Sequence, residues 1–189
     1  MLLALIVLAV SAGCSSGSGP APTVSPSPVP SSSPGVPSVT GTVATLPPGA
    51  VPTGFEAVTL RITDADGRVR ESCVLLAADD ADRARGLMEV DSLGGYDGMI
   101  FRFDGPTRSQ FYMFDTRLPL SIAFFDTDGR FVSATDMAPC TATKASDCPV
   151  YGADGPYVDA LEVVQGGLGP WGIGGGSRIE VGGTCSRSP

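Results

Sequence analysis

No charged side chain occurs before Glu56: all twenty acidic and twelve basic residues of this 189-residue chain lie from there to Arg187. A stretch without charge and with few large apolar groups can build neither a core nor a solvated surface over one. Folding is therefore confined to roughly the last 135 residues, close to the commonest domain size, and one ordinary domain is expected over 55–189.

The uncharged part divides in two. Residues 2–10 are an unbroken apolar run, followed by Ser11, Ala12, Gly13 and Cys14. A run this short does not span a bilayer, which takes about 20 residues. It fits the apolar core of a signal peptide over 1–13, ending in a small-residue cleavage site. The Gly13-Cys14 pair resembles a bacterial lipobox, so Cys14 is the expected lipidation site and the membrane the expected partner through that lipid. An ordinary secretory signal is the alternative, and it would leave an odd cysteine. From Cys14 to residue 54 the chain is mostly Ser, Pro, Gly, Thr, Val and Ala. Such a segment buries too little apolar surface to offset the entropy of ordering it, and a disordered tether of up to roughly 120 Å is expected. The domain would then stand at the cell membrane, lipid-anchored, on the extracytoplasmic side.

Composition removes several function classes. The net charge of −8 lacks the basic footprint that nucleic acid requires. Histidine is absent, which excludes Ser-His-Asp and Cys-His nucleophile pairs and histidine-containing zinc sites. No residue pattern calls for a cofactor or a metal. The turns at Asp64-Ala65-Asp66-Gly67 and Asp126-Thr127-Asp128-Gly129 carry part of a calcium loop, but Ile62 and Phe124 stand where a further acid is needed, so both read as hairpin turns.

Alternating apolar and polar residues predict strands over 57–62 and 68–77, and further short strands over 99–103, 111–114, 120–125, 130–135, 157–165 and 178–181. Asp79 or Asp80 caps a short helix running to Met88, with Ala81, Ala84 and Met88 on one face. The fold class expected is mainly β: a small closed or half-closed antiparallel barrel or sandwich with one short helix. Beyond Cys14, four cysteines remain and allow three pairings. Cys140 and Cys148 bound a short polar loop, which makes a local bridge natural and leaves Cys73 with Cys185. A closed barrel would bring that second pair together.

Several short motifs occur in order: Arg85-Gly86-Leu87-Met88, Ser92-Leu93, Gly98-Met99-Ile100-Phe101, the dense stretch 111–126, Pro139-Cys140, Cys148-Pro149, Tyr151 and Leu161-Glu162-Val163. In this register the chain resembles the domain of unknown function 192 family. Tyr112, Phe114 and Asp115 stand where the family usually has Trp, a basic residue and Asn, and Val90 where it commonly has Arg. The resemblance implies a compact, mostly β domain, often exported, with no settled activity.

Met88, Met99, Phe101, Phe111, Met113 and Leu120 are expected in the core. The polar residues are the candidates for function. A binding surface is expected around the strand break at Pro119, from Arg85, Tyr112, Asp115, Thr116, Arg117 and Glu162. Arg85 paired with Glu162 or Asp115 would be a purely structural alternative. Trp171, in the Gly-rich stretch 166–176, would form a second wall of the groove or cover the barrel end. The leading reading is a binding or interaction module of the cell envelope, its partner an unidentified envelope protein or glycan. The rivals are a structural envelope protein and a glycan-directed enzyme with two of Asp115, Asp126 and Glu162 as an acid–base pair, about 5 to 9.5 Å apart.

The anchor assignment is directly testable. Cys14→Ser is expected to block processing or release the protein from the membrane fraction, as read by fractionation and immunoblotting. Unchanged partitioning into membranes would refute it.

Overall fold

The computed structural model describes residues 49–186. The expected signal segment 1–13, Cys14 and the tether up to residue 48 lie outside the described residues.

Strands β1 (Glu56–Thr63) and β2 (Val69–Ala77) form an antiparallel hairpin in the register Glu56 to Leu76 through Thr63 to Val69. Asp64 makes the turn: its Oδ1 accepts the backbone N–H groups of Asp66 at 2.9 Å and Arg68 at 2.8 Å. Asp126 repeats the device with Asp128 and Arg130 at 2.9 and 2.8 Å. A short carboxylate that folds back on its own backbone is what makes Asp a turn residue, and both acidic stretches are hairpin turns as their sequence indicates.

After β2 the chain enters helix α1 (Asp80–Arg85), capped by the Asp79 side chain, which accepts the Asp82 N–H at 2.8 Å. The helix stops at Gly86, before Met88, because Gly86 takes φ 47° and a Cβ there would meet the Phe101 ring at 3.3 Å. The next strand, β3 (Met99–Thr107), runs parallel to β2, with Leu75 opposite Met99 and Ala77 opposite Phe101. The sheet is therefore mixed and not wholly antiparallel as expected. A helical crossover is what a parallel connection requires, and α1 provides it.

The remaining strands are β4 (Phe111–Tyr112), β5 (Leu120–Phe125), β6 (Phe131–Met137), β7 (Val150–Tyr151), β8 (Tyr157–Val164) and β9 (Arg178–Thr184). Seven of them form one sheet in the order β6-β5-β8-β3-β2-β1-β9, and β4 pairs with β7 in a sheet of two. The strand expected over 111–114 is only two residues long, because Met113 leaves the ladder and its carbonyl accepts the N–H groups of Thr116 and Cys140, both at 3.2 Å.

The barrel is half closed. Its outermost strands β6 and β9 meet only at their first residues, where Phe131 N–H donates to Ser177 O at 3.0 Å and Ile179 N–H to Gly129 O at 2.8 Å. Gly129 is required at this seam: its φ is 72°, and a Cβ would fall 2.2 Å from the Ile179 carbonyl oxygen. Elsewhere no ladder joins the two edges among the described residues, so the closed-barrel alternative is not formed.

The curled sheet buries both faces of its central strands. Leu60, Ile62, Val74, Ile100, Phe125 and Leu161 belong to one apolar cluster, which Trp171 and Ile173 join. On the other face Leu75, Met99, Phe101, Ile122, Phe124 and Ala160 pack beneath Leu87, Val90, Leu93 and Met113. All six residues of β5 are buried, and alternate members serve alternate cores.

Both disulfides form as paired in the sequence, Cys73–Cys185 with Cα atoms 5.9 Å apart and Cys140–Cys148 with 5.8 Å. Barrel closure is not what joins the first pair. Strand β1 lies between β2 and β9, and Cys73 stands opposite Thr59 of β1 while Cys185 N–H donates to Ala57 O at 3.0 Å. The bridge straddles β1, helped by a register shift between Val58 and Leu60 where Gly182 and Gly183 enter. In chain-entropy terms it restrains the unfolded state by about 4.8 kcal/mol, against about 2.6 kcal/mol for the local bridge. Replacing Cys73 and Cys185 together by Ala should therefore lower the unfolding free energy by more than the Cys140/Cys148 double substitution, by about 2 kcal/mol in denaturant titrations. The reverse ranking would show that the local bridge carries a native contact beyond chain restraint.

Candidate functional site

The acid that strand alternation singles out, Glu162, sits on β8 in the middle of the sheet. It is paired across the ladders with Met99 of β3 and Ile122 of β5, both fully buried. Leu161 and Val163 point into the barrel core, so Glu162 projects from the opposite face, beneath α1 and the 109–116 segment. It is 5 % exposed, and its carboxyl makes no hydrogen bond or ion pair with any described residue. Burial among apolar side chains pushes its pKa up to about 8, so at neutral pH it is mainly the uncharged acid.

Its remaining exposure is to a cavity of about 230 Å³. Phe101, Phe103, Phe111, Leu87 and Met88 supply apolar wall, with Tyr112 at the rim, 43 % exposed. Phe101 and Phe111 meet edge to face with centroids 5.1 Å apart, which fixes two of the rings against each other. Ser109, Gln110 and Thr116 add polar groups. The Ser109 carbonyl accepts the Tyr157 hydroxyl at 2.9 Å, so this wall is held by a fully buried ring of β8.

Helix α1 brings two arginines to the mouth, and both are already engaged. Arg83 donates to the Ala78 carbonyl, to the Arg102 carbonyl at 2.8 Å and to Asp80, with its guanidinium 5.0 Å above the Phe103 ring. Arg85 pairs with Asp82 at 2.9 Å, donates to the Thr53 carbonyl at 3.0 Å and lies 3.9 Å above Phe55. The structural pairing of Arg85 with Glu162 or Asp115 is thus not the one formed. The segment from Gly49, read from composition as the end of the tether, is held here as well: Ala50 exchanges hydrogen bonds with Asp91, its N–H donating to Oδ2 at 2.9 Å and its carbonyl accepting the Asp91 N–H at 2.7 Å.

The six residues expected to form one surface separate into two groups. Arg85, Tyr112, Thr116 and Glu162 line the cavity. Asp115 and Arg117 face a neighbouring depression with Glu89 and Pro139, which shares Thr116 with the cavity. The cause is local backbone: Asp115 takes φ 52° and its carbonyl accepts the N–H of Glu89, itself at φ 61°. Arg117 pairs there with Asp91 at 3.1 Å. The Ala50 N–H, then Arg117, hold the Asp91 carboxyl below the usual carboxylate range. Trp171 is far from being a second wall: it packs on the barrel core, with Arg70 4.9 Å over its ring. Sequence reading missed Phe103, Ser109, Gln110 and Arg83, and it assigned Met88, Phe101 and Phe111 to the core alone.

Nothing among the curated proteins matches this chain. Several solved structures do, among them two bacterial proteins. One is a protein of unknown function from Novosphingobium aromaticivorans DSM 12444, 30% identical with a TM-score of 0.59, covering 75% of this chain and 98% of that one. The other is a Sinorhizobium meliloti 1021 protein, provisionally named a transcription regulator, 26% identical with a TM-score of 0.61, covering 69% of this chain and 97% of that one. Their fold is similar to this one, and the family's sequence pattern matches from residue 61 to residue 181, so the chain belongs to the domain of unknown function 192 family, described as "Uncharacterized ACR".

Proposed function

We propose that this domain is a non-enzymatic binding module whose ligand enters the cavity above Glu162, held on the extracytoplasmic side of the cell membrane by a lipid on Cys14. The observation that carries the binding reading is the buried carboxyl itself. A polar group taken from water without a partner costs free energy, and a structural role would supply that partner from within the fold. Here the open side of the group faces an aromatic cleft instead. A mainly apolar pocket with a few convergent polar groups is the usual form of a small-molecule site. The paired-carboxylate enzyme is less favoured: among the described residues lining the cavity Glu162 is the single acid, and the Asp126 carboxylate is committed to its turn. The envelope setting rests on the apolar run, the Gly13-Cys14 pair and the cysteine usage.

Two measurements test the site. Fragment screening of the full chain by methyl NMR should give binders that shift Leu87, Met88 and Thr116, and Ala84→Phe, which fills the cavity from α1, should abolish those shifts. Hits that cluster elsewhere, or that survive Ala84→Phe in a folded protein, would dismiss the cavity as the binding site.

The second uses pH. An acid whose folded pKa is about 8 and whose ordinary value is 4.5 keeps its proton in the fold after the unfolded chain has lost it. Stability contributed by Glu162 is thus complete below about pH 4.5 and lost as pH rises toward 8, at up to about 1.4 kcal/mol per unit. Glu162→Gln should remove that slope and leave the variant more stable than wild type at pH 8 in denaturant titrations. A variant destabilised by about 3 kcal/mol at pH 8 would instead indicate a buried ion pair.

A further inference from the structure

Resting on the cavity as a binding site, we infer that its ligand is an organic ammonium ion, with an apolar body among Phe101, Phe103, Phe111 and Tyr112 and a protonated amine against the Glu162 carboxylate. Three observations lead to this class. The first is the missing partner. Arg83, Arg85 and Tyr112 are the other titratable groups lining the cavity among the described residues, and both arginines are committed to Asp80, Asp82 and backbone carbonyls. A cation that pairs with an ionised Glu162 has to come from outside the fold, since none lining the cavity among the described residues is uncommitted.

The second is the wall. Aromatic faces attract cations through the ring quadrupole, more strongly once water is excluded. This protein already uses the effect at the mouth, where Arg83 and Arg85 lie over Phe103 and Phe55 at 5.0 and 3.9 Å. The third is long-range: a net charge of −8 raises the local concentration of cations and opposes anions. A metal ion does not fit, since one carboxylate among phenyl rings provides too few oxygen ligands. Binding is a proton exchange. Glu162 releases its proton to solvent, and the arriving ammonium takes its place as the positive partner.

The test is calorimetric titration of the full chain with benzylammonium chloride, benzyl alcohol and sodium benzoate at pH 6, 7 and 8. Because the carboxyl must ionise, benzylammonium affinity should rise about tenfold from pH 6 to 7 and about fivefold from pH 7 to 8. At pH 7, titrations in buffers of different ionisation enthalpy should show close to one proton released. Benzyl alcohol should bind at least about tenfold more weakly and benzoate more weakly still. Glu162→Gln should lose benzylammonium affinity at least about tenfold, lose the pH dependence and keep benzyl alcohol. Equal affinity for the alcohol and the ammonium, without proton release, overturns the ammonium inference and leaves the cavity as a site for neutral ligands. Failure of all three probes to bind the folded wild-type protein overturns both.

Discussion

Strand β8 is hydrogen-bonded on both sides and buried on both faces, and the rest of the molecule is arranged around that fact. Its neighbours β3 and β5 complete its backbone bonds; the curled sheet covers Leu161 and Val163, and α1 with the 87–93 and 109–116 segments covers the other side. A strand in that position holds a polar residue either by pairing it, as Arg102 pairs Asp159 at 2.9 Å, or where the covering layer is open. The opening lies over Glu162, so the cavity and the acid are two aspects of one packing arrangement.

The covering layer is assembled from short pieces, each tied to the sheet by a specific bond. Arg83 links α1 to the β3 carbonyl of Arg102, and Tyr157 holds Ser109. Arg85 links α1 to Thr53 and Phe55 ahead of β1. The Cys140–Cys148 bridge closes the loop that leads into β7, which pairs with β4 at Tyr112. None of these pieces has an extensive core of its own. Their shared task is to hold apolar walls apart at a fixed spacing, which is how a protein keeps a cleft from collapsing.

Much of this was legible in the chain. The strands announced themselves by alternation and by Asp-Gly turns, and the disulfide pairing by the short polar loop between Cys140 and Cys148. Glu162 was visible as an acid between Leu161 and Val163. Strand direction was not, because a period of two carries no information about which way a partner runs; β2 and β3 are parallel for reasons of connection. The cavity wall was only partly visible. Phe101 and Phe111 look like core because they are core on one side and wall on the other, and Ser109 and Gln110 have an ordinary loop composition. Asp115 and Arg117 were grouped with Thr116 by adjacency, but the left-handed turn at Asp115 sends them into the neighbouring depression.

The pairing of β1 with β9 also sets the order in which the fold can be completed. Leu60 has Val181 as its partner on one side and Ser72 on the other. As the chain emerges from its N-terminus, the β1–β2 hairpin finds its local contacts early, while the outer edge of β1 stays unsatisfied until the last strand arrives. Contacts this distant in sequence are slow to form, and an unpaired edge is a template for other chains in the interval. Once formed, the Cys73–Cys185 bridge holds that edge shut. The restraint it places on the unfolded chain favours the same pairing, and the vulnerable period in the life of this protein is the time before residue 184 is available.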